Sequence, residues 1–506
     1  MRTKNSFLNM ITNLVPSLII PIISLFKLSW LLKVYGADIY GMNMYLTQVM
    51  GYLNLVEGGF GFAFVQALFK PLAKDDKETV KGLYHGASYI LKMIGLIILF
   101  LGIIIYIILP WILKTSIPFS FVRMVFLLMI LPTIVDYFLM APTFVMMADQ
   151  KEYHLNIIRK TIQLLRAFTH IFIILHRYNY LYIPLVEAIY IVVQSYICRR
   201  FVIKRYIWLL EKAPRNLSTL ESAKNLFAHR LAGVVLSSTD TILLGAFIGT
   251  IANTLYGNYI YITGEIQKIL ESIINAPKAS IGNLFATNDQ KSYAVFKEYF
   301  SFTTFIATIV CIPLFITINS FVEFWQSKEV VLSLLDAFLF AGILFFVLSR
   351  QPIMNVRDTN GLFRESKKFA YLEAVLNFSF SIVGVYFFGI TGALFVTFCT
   401  YLASDLFMNS PLVYQSVLKK PIREYYSMYL SKLMIAMFVG FFAYLTWQYL
   451  LSVRVDNLLL WFIFSGLLFI LVSIVISIIY YLCFNDFRLF IQRILKLVNG
   501  KMKGAK

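Results

Sequence analysis

Residues 225–286, NLFAHRLAGVVLSSTDTILLGAFIGTIANTLYGNYIYITGEIQKILESIINAPKASIGNLFA, hold two membrane-length apolar runs that carry charges hydrocarbon alone does not tolerate. Counting inward from the basic flank at roughly 1.5 Å per residue, Asp240 lies about 20 Å in, near the middle of a bilayer. Arg230 lies nearer the entrance, and Glu265 sits deep in the returning run. A charge at the midplane costs on the order of 3 kcal/mol even on the most forgiving insertion scale, so these side chains are expected to face protein or water rather than lipid. An interior polar pathway is the first expectation.

The rest of the chain has the same character. Of 506 residues, 59% are hydrophobic and 14% charged, with mean hydropathy +0.75. Soluble domains use about half apolar and about a quarter charged residues. Recurrent apolar runs predict an all-α polytopic membrane protein of about fourteen transmembrane helices. The runs are continuous rather than alternating, which argues against a transmembrane barrel. A formal charge of +19 does not point to nucleic acid, because the basic residues sit in alternate loops. Roughly thirty Lys and Arg fall in one set of loops and roughly four in the other, a bias that places both termini in the cytoplasm. MRTKNSF leads into an apolar segment without a small-residue cleavage site, so an uncleaved first helix is expected. Cys198, Cys311, Cys399 and Cys483 show no CxxC spacing, and neither a disulfide nor a zinc site is expected. No catalytic triad, metal cluster or nucleotide loop is visible, so the expectation is a transporter without cofactor or ATPase activity.

Taken in order, helix 1 (about 7–34) carries Pro16, Pro21 and Lys27, and the prolines are expected to bend it. YGADIYG (35–41) reads as an outer turn. Helix 2 contains VEGGFGFAF (56–64), whose glycines suggest a phosphate loop; with no preceding strand, close helix packing is the better reading of Glu57 and its neighbours. Helices 3 to 6 bring Lys92, Arg123, Asp136, Arg166, His170 and Glu187 into apolar surroundings, with His170 read as packing. The charged connection 199–224 marks a linker between two halves. Domain boundaries follow: an N-terminal six-helix lobe over 1–203, a linker over 204–224, a second six-helix lobe over 225–418, two additional helices over 419–483 and a basic tail over 484–506. The tail is expected on the anionic inner leaflet. Arg350 and Glu373 read as interfacial anchors, Gly389 and Gly392 as a tight outer turn, and helices 13 and 14 as almost free of embedded charge.

A repeat supports the two halves. YGMNMYLTQ (40–48) and YGNYIYITG (256–264) share Tyr, Gly, Tyr and Thr at equal spacing, each at the start of an inward helix. Parallel halves related by an axis along the membrane normal, with a cavity between them, suggest alternating access.

The ordered set NLVPSLIIPIISLFKLSWLLKVYGADIYG, YLNLVEGGFGFAFVQALFKPLAKDD, LSSTDTILLGAFIG and NGLFRESKKFAYLEAVLNFSFSIVGVYFFGITGALFVTF resembles a polysaccharide flippase of the Wzx kind, within the multidrug/oligosaccharidyl-lipid/polysaccharide exporter superfamily. The resemblance spans nearly the whole chain and rests on the order of several weak motifs. It implies movement of an undecaprenyl-diphosphate-linked oligosaccharide from the inner to the outer leaflet of a bacterial plasma membrane, coupled to an H+ or Na+ gradient. It further implies two six-helix lobes with two additional C-terminal helices, and a monomer working beside polysaccharide polymerase machinery. Capsule, O-antigen and exopolysaccharide all remain open as the polymer. Such flippases line the cavity with cations, some through an Arg in helix 1; this chain has Lys27 there.

The candidate cationic set for the diphosphate is Lys27, Lys92, Arg166 and Arg230. The candidates for ion coupling or for structural ion pairs are Asp240, Glu265, Glu57, Asp136 and Asp405. Asp240 could pair with Arg230 or Lys268, and Glu265 with Lys268 at i,i+3. Phosphate attraction is assigned mainly to the first half and ion coupling to the more acidic second half. The competing readings are a multidrug/cation antiporter, a lipid II flippase, a membrane polymerase or glycosyltransferase, and a scaffold. Short outer loops weigh against the enzymes, and the many embedded charges weigh against the scaffold.

Overall fold

The computed structural model describes residues 2–286, 291–450 and 457–503, and among these every regular element is helical. Among the described residues, eight helical stretches are long and apolar enough to cross a membrane. Two of them fold back on themselves, so they contain more than one crossing each.

The first fold-back lies in α1 (Arg2–Leu53). The helix runs through Pro16 and Pro21 and leaves helical space only at Gly36, at φ 85 and ψ 169. A side chain there would be strained, so the outer turn read at YGADIYG is fixed by one glycine. A 3₁₀ turn (Asn54–Glu57) and two glycines in the left-handed region, Gly58 and Gly59, then interrupt the second crossing before α2 (Phe60–Ala73). Helix 2 is therefore broken beside Glu57 rather than continuous. Close packing also holds, since a Cβ on Gly61 would lie 3.0 Å from Phe144.

Six helices continue this unit: α3 (Lys77–Ile112), α4 (Phe119–Leu139), α5 (Ala141–Ala148), α6 (Tyr153–Leu175), α7 (Tyr182–Arg205) and α8 (Thr219–Phe247). Asp76 caps α3 by accepting from the Thr79 amide at 3.1 Å. Pro142 sits in the first turn of α5, where a missing amide costs nothing, so the break between α4 and α5 falls beside it. Cα packing divides the chain into two compact units, Met1–Thr254 and Leu255–Lys506. Because α8 packs along α1 and α2, this division comes after Thr254. The linker at 204–224 is a reading of charge and chain length.

The second unit takes most of α9 (Thr250–Ile274), then α10 (Lys278–Ala286), α11 (Ser292–Trp325), α12 (Leu334–Ser349), α13 (Gln351–Thr359) and α14 (Phe363–Ser404). Gly389, at φ 61 and ψ −133, folds α14 back at the expected outer turn. The two arms meet closely enough that a Cβ on Gly384 would lie 2.8 Å from the Gly392 carbonyl oxygen. The carboxy-terminal end of this crossing departs from α geometry: π turns at Asp405–Asn409 and Tyr414–Leu418 flank the short α15 (Ser410–Val413). The additional helices are α16 (Ile422–Leu450) and α17 (Leu458–Cys483), followed by α18 (Asn485–Lys503).

Ile312 and Ile316 of α11 join Trp447, Val472, Tyr480 and Phe487 in a core that fastens α16, α17 and α18 to that helix. The outer face of α17 presents Leu459, Phe462, Leu467, Ile470 and Ile474, all exposed and all apolar, as lipid contact requires. Of the basic tail read at 484–506, the part up to 503 is a helix docked on α11 through Phe302–Phe490 stacking at 4.6 Å and an Arg493–Glu298 pair at 2.8 Å. It is held by protein contacts as well as by any leaflet charge; residues 504–506 lie outside the described residues.

Candidate functional site

In the first unit, α1, α6 and α7 bring charges together inside apolar helices. Arg166 Nη1 lies 2.5 Å from Glu187 Oε1, and His170 Nε2 lies 3.6 Å from Glu187 Oε2. Lys27 of α1 acts electrostatically on His170 and is itself within range of both Glu187 and Arg166. Arg166 and His170 share a face of α6 because they are four residues apart. With one lysine and one arginine around one carboxylate, the group carries a formal surplus of one positive charge. His170 is 2% exposed and its Nε2 makes no hydrogen bond among the described residues. Reading it as isolated packing missed that Glu187 faces it; the i,i+4 spacing from Arg166 was the available signal.

A second group joins α8 to the first crossings. Arg230 Nη2 lies 3.2 Å from Glu57 Oε2, while Glu57 Oε1 accepts from the Gly61 amide at 3.3 Å. Arg230 therefore pairs with Glu57. Asp240 lies ten residues further along α8, about 15 Å away at the helical rise. It is 2% exposed, and its charge reaches Tyr52, whose hydroxyl meets Thr239 Oγ1 at 2.6 Å. Ser238 Oγ donates to Gln48 Oε1 at 2.7 Å, so three successive residues of α8 present polar groups where α1 packs.

The remaining candidates separate. Asp136 of α4 accepts from Ser195 Oγ of α7 at 2.6 Å, which ties two helices together. Lys92 stands exposed on α3 and joins neither group. Glu265 pairs with Lys268 at 2.6 Å along α9, the neutralisation expected from their spacing. Asp38, which the sequence did not single out, accepts from Ser116 Oγ at 2.5 Å and from Thr250 Oγ1.

The second unit holds a group of opposite sign. Asp405 is fully buried in its π turn and accepts from Tyr425 Oη at 2.8 Å and Ser410 Oγ at 3.3 Å. Arg350 Nη1 lies 3.2 Å from Glu373 Oε1, and its guanidinium lies 4.5 Å from the Tyr401 ring centre. Arg350, Glu373 and Asp405 share one electrostatic neighbourhood, with two carboxylates around one cation. Arg350, read as an interfacial anchor, thus has Glu373 as an ion-pair partner. The break between α12 and α13, with Pro352 in the following turn, places Arg350 against Tyr401 instead of continuing a helix. Among the described residues, no three His, Cys, Asp or Glu side chains converge as a metal-holding group.

No family model and no curated sequence matches this chain. The fold is matched by solved structures. A structure described as the lipid II flippase MurJ in an inward closed conformation aligns with TM-score 0.67 at 16% identity, covering 92% of this chain and 98% of the flippase. A multidrug resistance MATE transporter of the MOP superfamily in an inward-facing conformation aligns at 0.53 and 13% identity, covering 78% and 95%. An outward-facing structure of a MATE transporter gives 0.51, 14%, 78% and 92%. At these identities the likeness shows a shared fold.

Proposed function

We propose that this chain is a flippase that carries an undecaprenyl-diphosphate-linked oligosaccharide from the inner to the outer leaflet for surface polysaccharide assembly, by alternating access. The observation that carries this reading is the Lys27–Arg166–His170–Glu187 group. A surplus cation held within membrane helices is costly unless an anion or water answers it, and a lipid diphosphate is an anion able to answer it. A site selected for cationic drugs would benefit from the opposite balance. The flippase structure also covers more of this chain than the drug transporters do, 92% against 78%.

The acidic groups supply the complementary half of the proposal. Asp240, on α8, and Asp405, in its π turn, are buried carboxylates able to answer a proton or sodium ion. Lys27 and Arg166 attract the substrate, while Arg230 is held by Glu57.

Reconstitution into proteoliposomes tests the reading. Leaflet exchange of an undecaprenyl-diphosphate-linked oligosaccharide should be faster than in protein-free vesicles, with no uptake of a cationic dye. Dye transport with no lipid exchange would identify a multidrug antiporter, and exchange confined to lipid II would identify that carrier instead.

A further inference from the structure

Lys432 lies ten residues into α16, where the sequence reading expected almost no embedded charge. It is 1% exposed, and its Nζ has no hydrogen-bond partner among the described residues. It has ring faces instead, with the Phe484 centre at 4.1 Å and the Phe300 centre at 5.6 Å. These attract a cation but leave the three donors of an ammonium unanswered.

Lys432 lines a cavity of about 560 Å³ together with Lys297, Arg423, Ser427 and Ser431. Three helices begin here, α11 at Ser292, α16 at Ile422 and α18 at Asn485, and each contributes lining residues from its first two turns. Their amino-terminal ends carry partial positive charge and unpaired amides, which favours an anion between them. The two acids present are already engaged: Asp486 lies 3.4 Å from Lys297 Nζ, and Glu424 Oε2 accepts from Tyr293 Oη at 2.5 Å. Arg423 and Lys432 have no ion pair among the described residues, and Lys420 adds a further cation over the Tyr293 ring at 5.4 Å.

We propose that this cavity, between the starts of α11, α16 and α18, binds a phosphate group, with Lys432 as its buried ligand and Arg423 at its rim. The charge on the phosphate answers the ammonium, and Ser427 and Ser431 supply hydroxyl donors. The phosphate belongs either to an anionic phospholipid headgroup or to a free phosphate in solution. This site is separate from the transport residues and does not depend on which lipid is flipped.

The test uses the delipidated full-length protein in detergent, titrated with phosphatidylglycerol, phosphatidylcholine or inorganic phosphate, and read by native mass spectrometry and by thermal unfolding. Wild type should bind phosphatidylglycerol or inorganic phosphate. Lys432→Met and Arg423→Gln should each weaken that binding about tenfold, the loss of one charged hydrogen-bonded contact, and Lys432→Arg should retain most of it. A variant-sensitive response to phosphatidylglycerol and not to inorganic phosphate assigns the headgroup; a variant-sensitive response to inorganic phosphate without preference for phosphatidylglycerol over phosphatidylcholine assigns the free anion. Lys432→Met removes a buried charge for an apolar chain of similar length, and Arg423 is exposed at the rim, so at least one of the two variants should fold. Equal binding of every probe by wild type and the folded variant, or no binding of either phosphatidylglycerol or inorganic phosphate, overturns the proposal.

Discussion

The two units answer the problem of buried charge with opposite balances. On α1, α6 and α7, Lys27 and Arg166 surround Glu187, leaving a positive surplus. Around the π turn after α14, Glu373 and Asp405 surround Arg350, leaving a negative one. A group that closes its own charge is a structural pair. One that leaves a charge over has a use for a mobile partner, and the two signs suit two different partners: an anionic lipid headgroup for the first, a cation for the second.

The largest effect is expected where removal leaves the most charge unanswered. Arg350→Ala abandons Glu373 and Asp405 in a buried site and should lower stability by about 3–5 kcal/mol, seen as loss of monodisperse protein and an earlier thermal transition. Arg350→Met combined with Glu373→Met should recover much of that loss; if it does not, the pair is not what holds α12 against α14.

The next effect is functional. Lys27→Ala should weaken binding of the lipid-linked substrate about tenfold, the scale of one charge-assisted contact, with folding retained. Unaltered affinity would remove the first unit from substrate recognition. Asp240→Asn, with the protein level checked, should change the pH or sodium dependence of leaflet exchange; the same exchange with the same ion dependence removes Asp240 from coupling. The smallest effect is at Lys268, an exposed i,i+3 partner of Glu265. Lys268→Ala should cost less than about 0.5 kcal/mol and leave exchange unaltered, and a large loss would show that Glu265 relies on it.

What could be read from the sequence follows from what lipid imposes. Continuous apolar runs must be helical because no other open backbone survives in hydrocarbon, so the helices and the folds at Gly36 and Gly389 were legible. Partners across helices were much less so. Lipid is as apolar as the protein interior, so periodicity fixes helix rotation weakly, and nothing local joins Arg230 to a Glu57 that lies 173 residues earlier. Arg350 and Glu373 look interfacial in sequence because each sits near a helix end, and only the packing of α12 on α14 shows them as one group with Asp405. The pair Gly58 and Gly59 was read for packing, whereas their left-handed backbone also breaks the helix. Lys432 escaped notice because a single Lys in an apolar run looks like an end that reaches for water; in the structure Phe484 and Phe300 enclose it.

Equilibrium binding of an undecaprenyl-diphosphate-linked sugar to wild type, Lys27→Ala and Glu187→Gln tests the positive surplus itself. Lys27→Ala removes a positive charge from the group and Glu187→Gln removes the negative one, so affinity should fall in the first and hold or rise in the second, with both differences shrinking as salt is added. Affinity that falls equally in both variants, or moves in neither, would contradict a role for the surplus charge on α1 and α6 in holding the diphosphate.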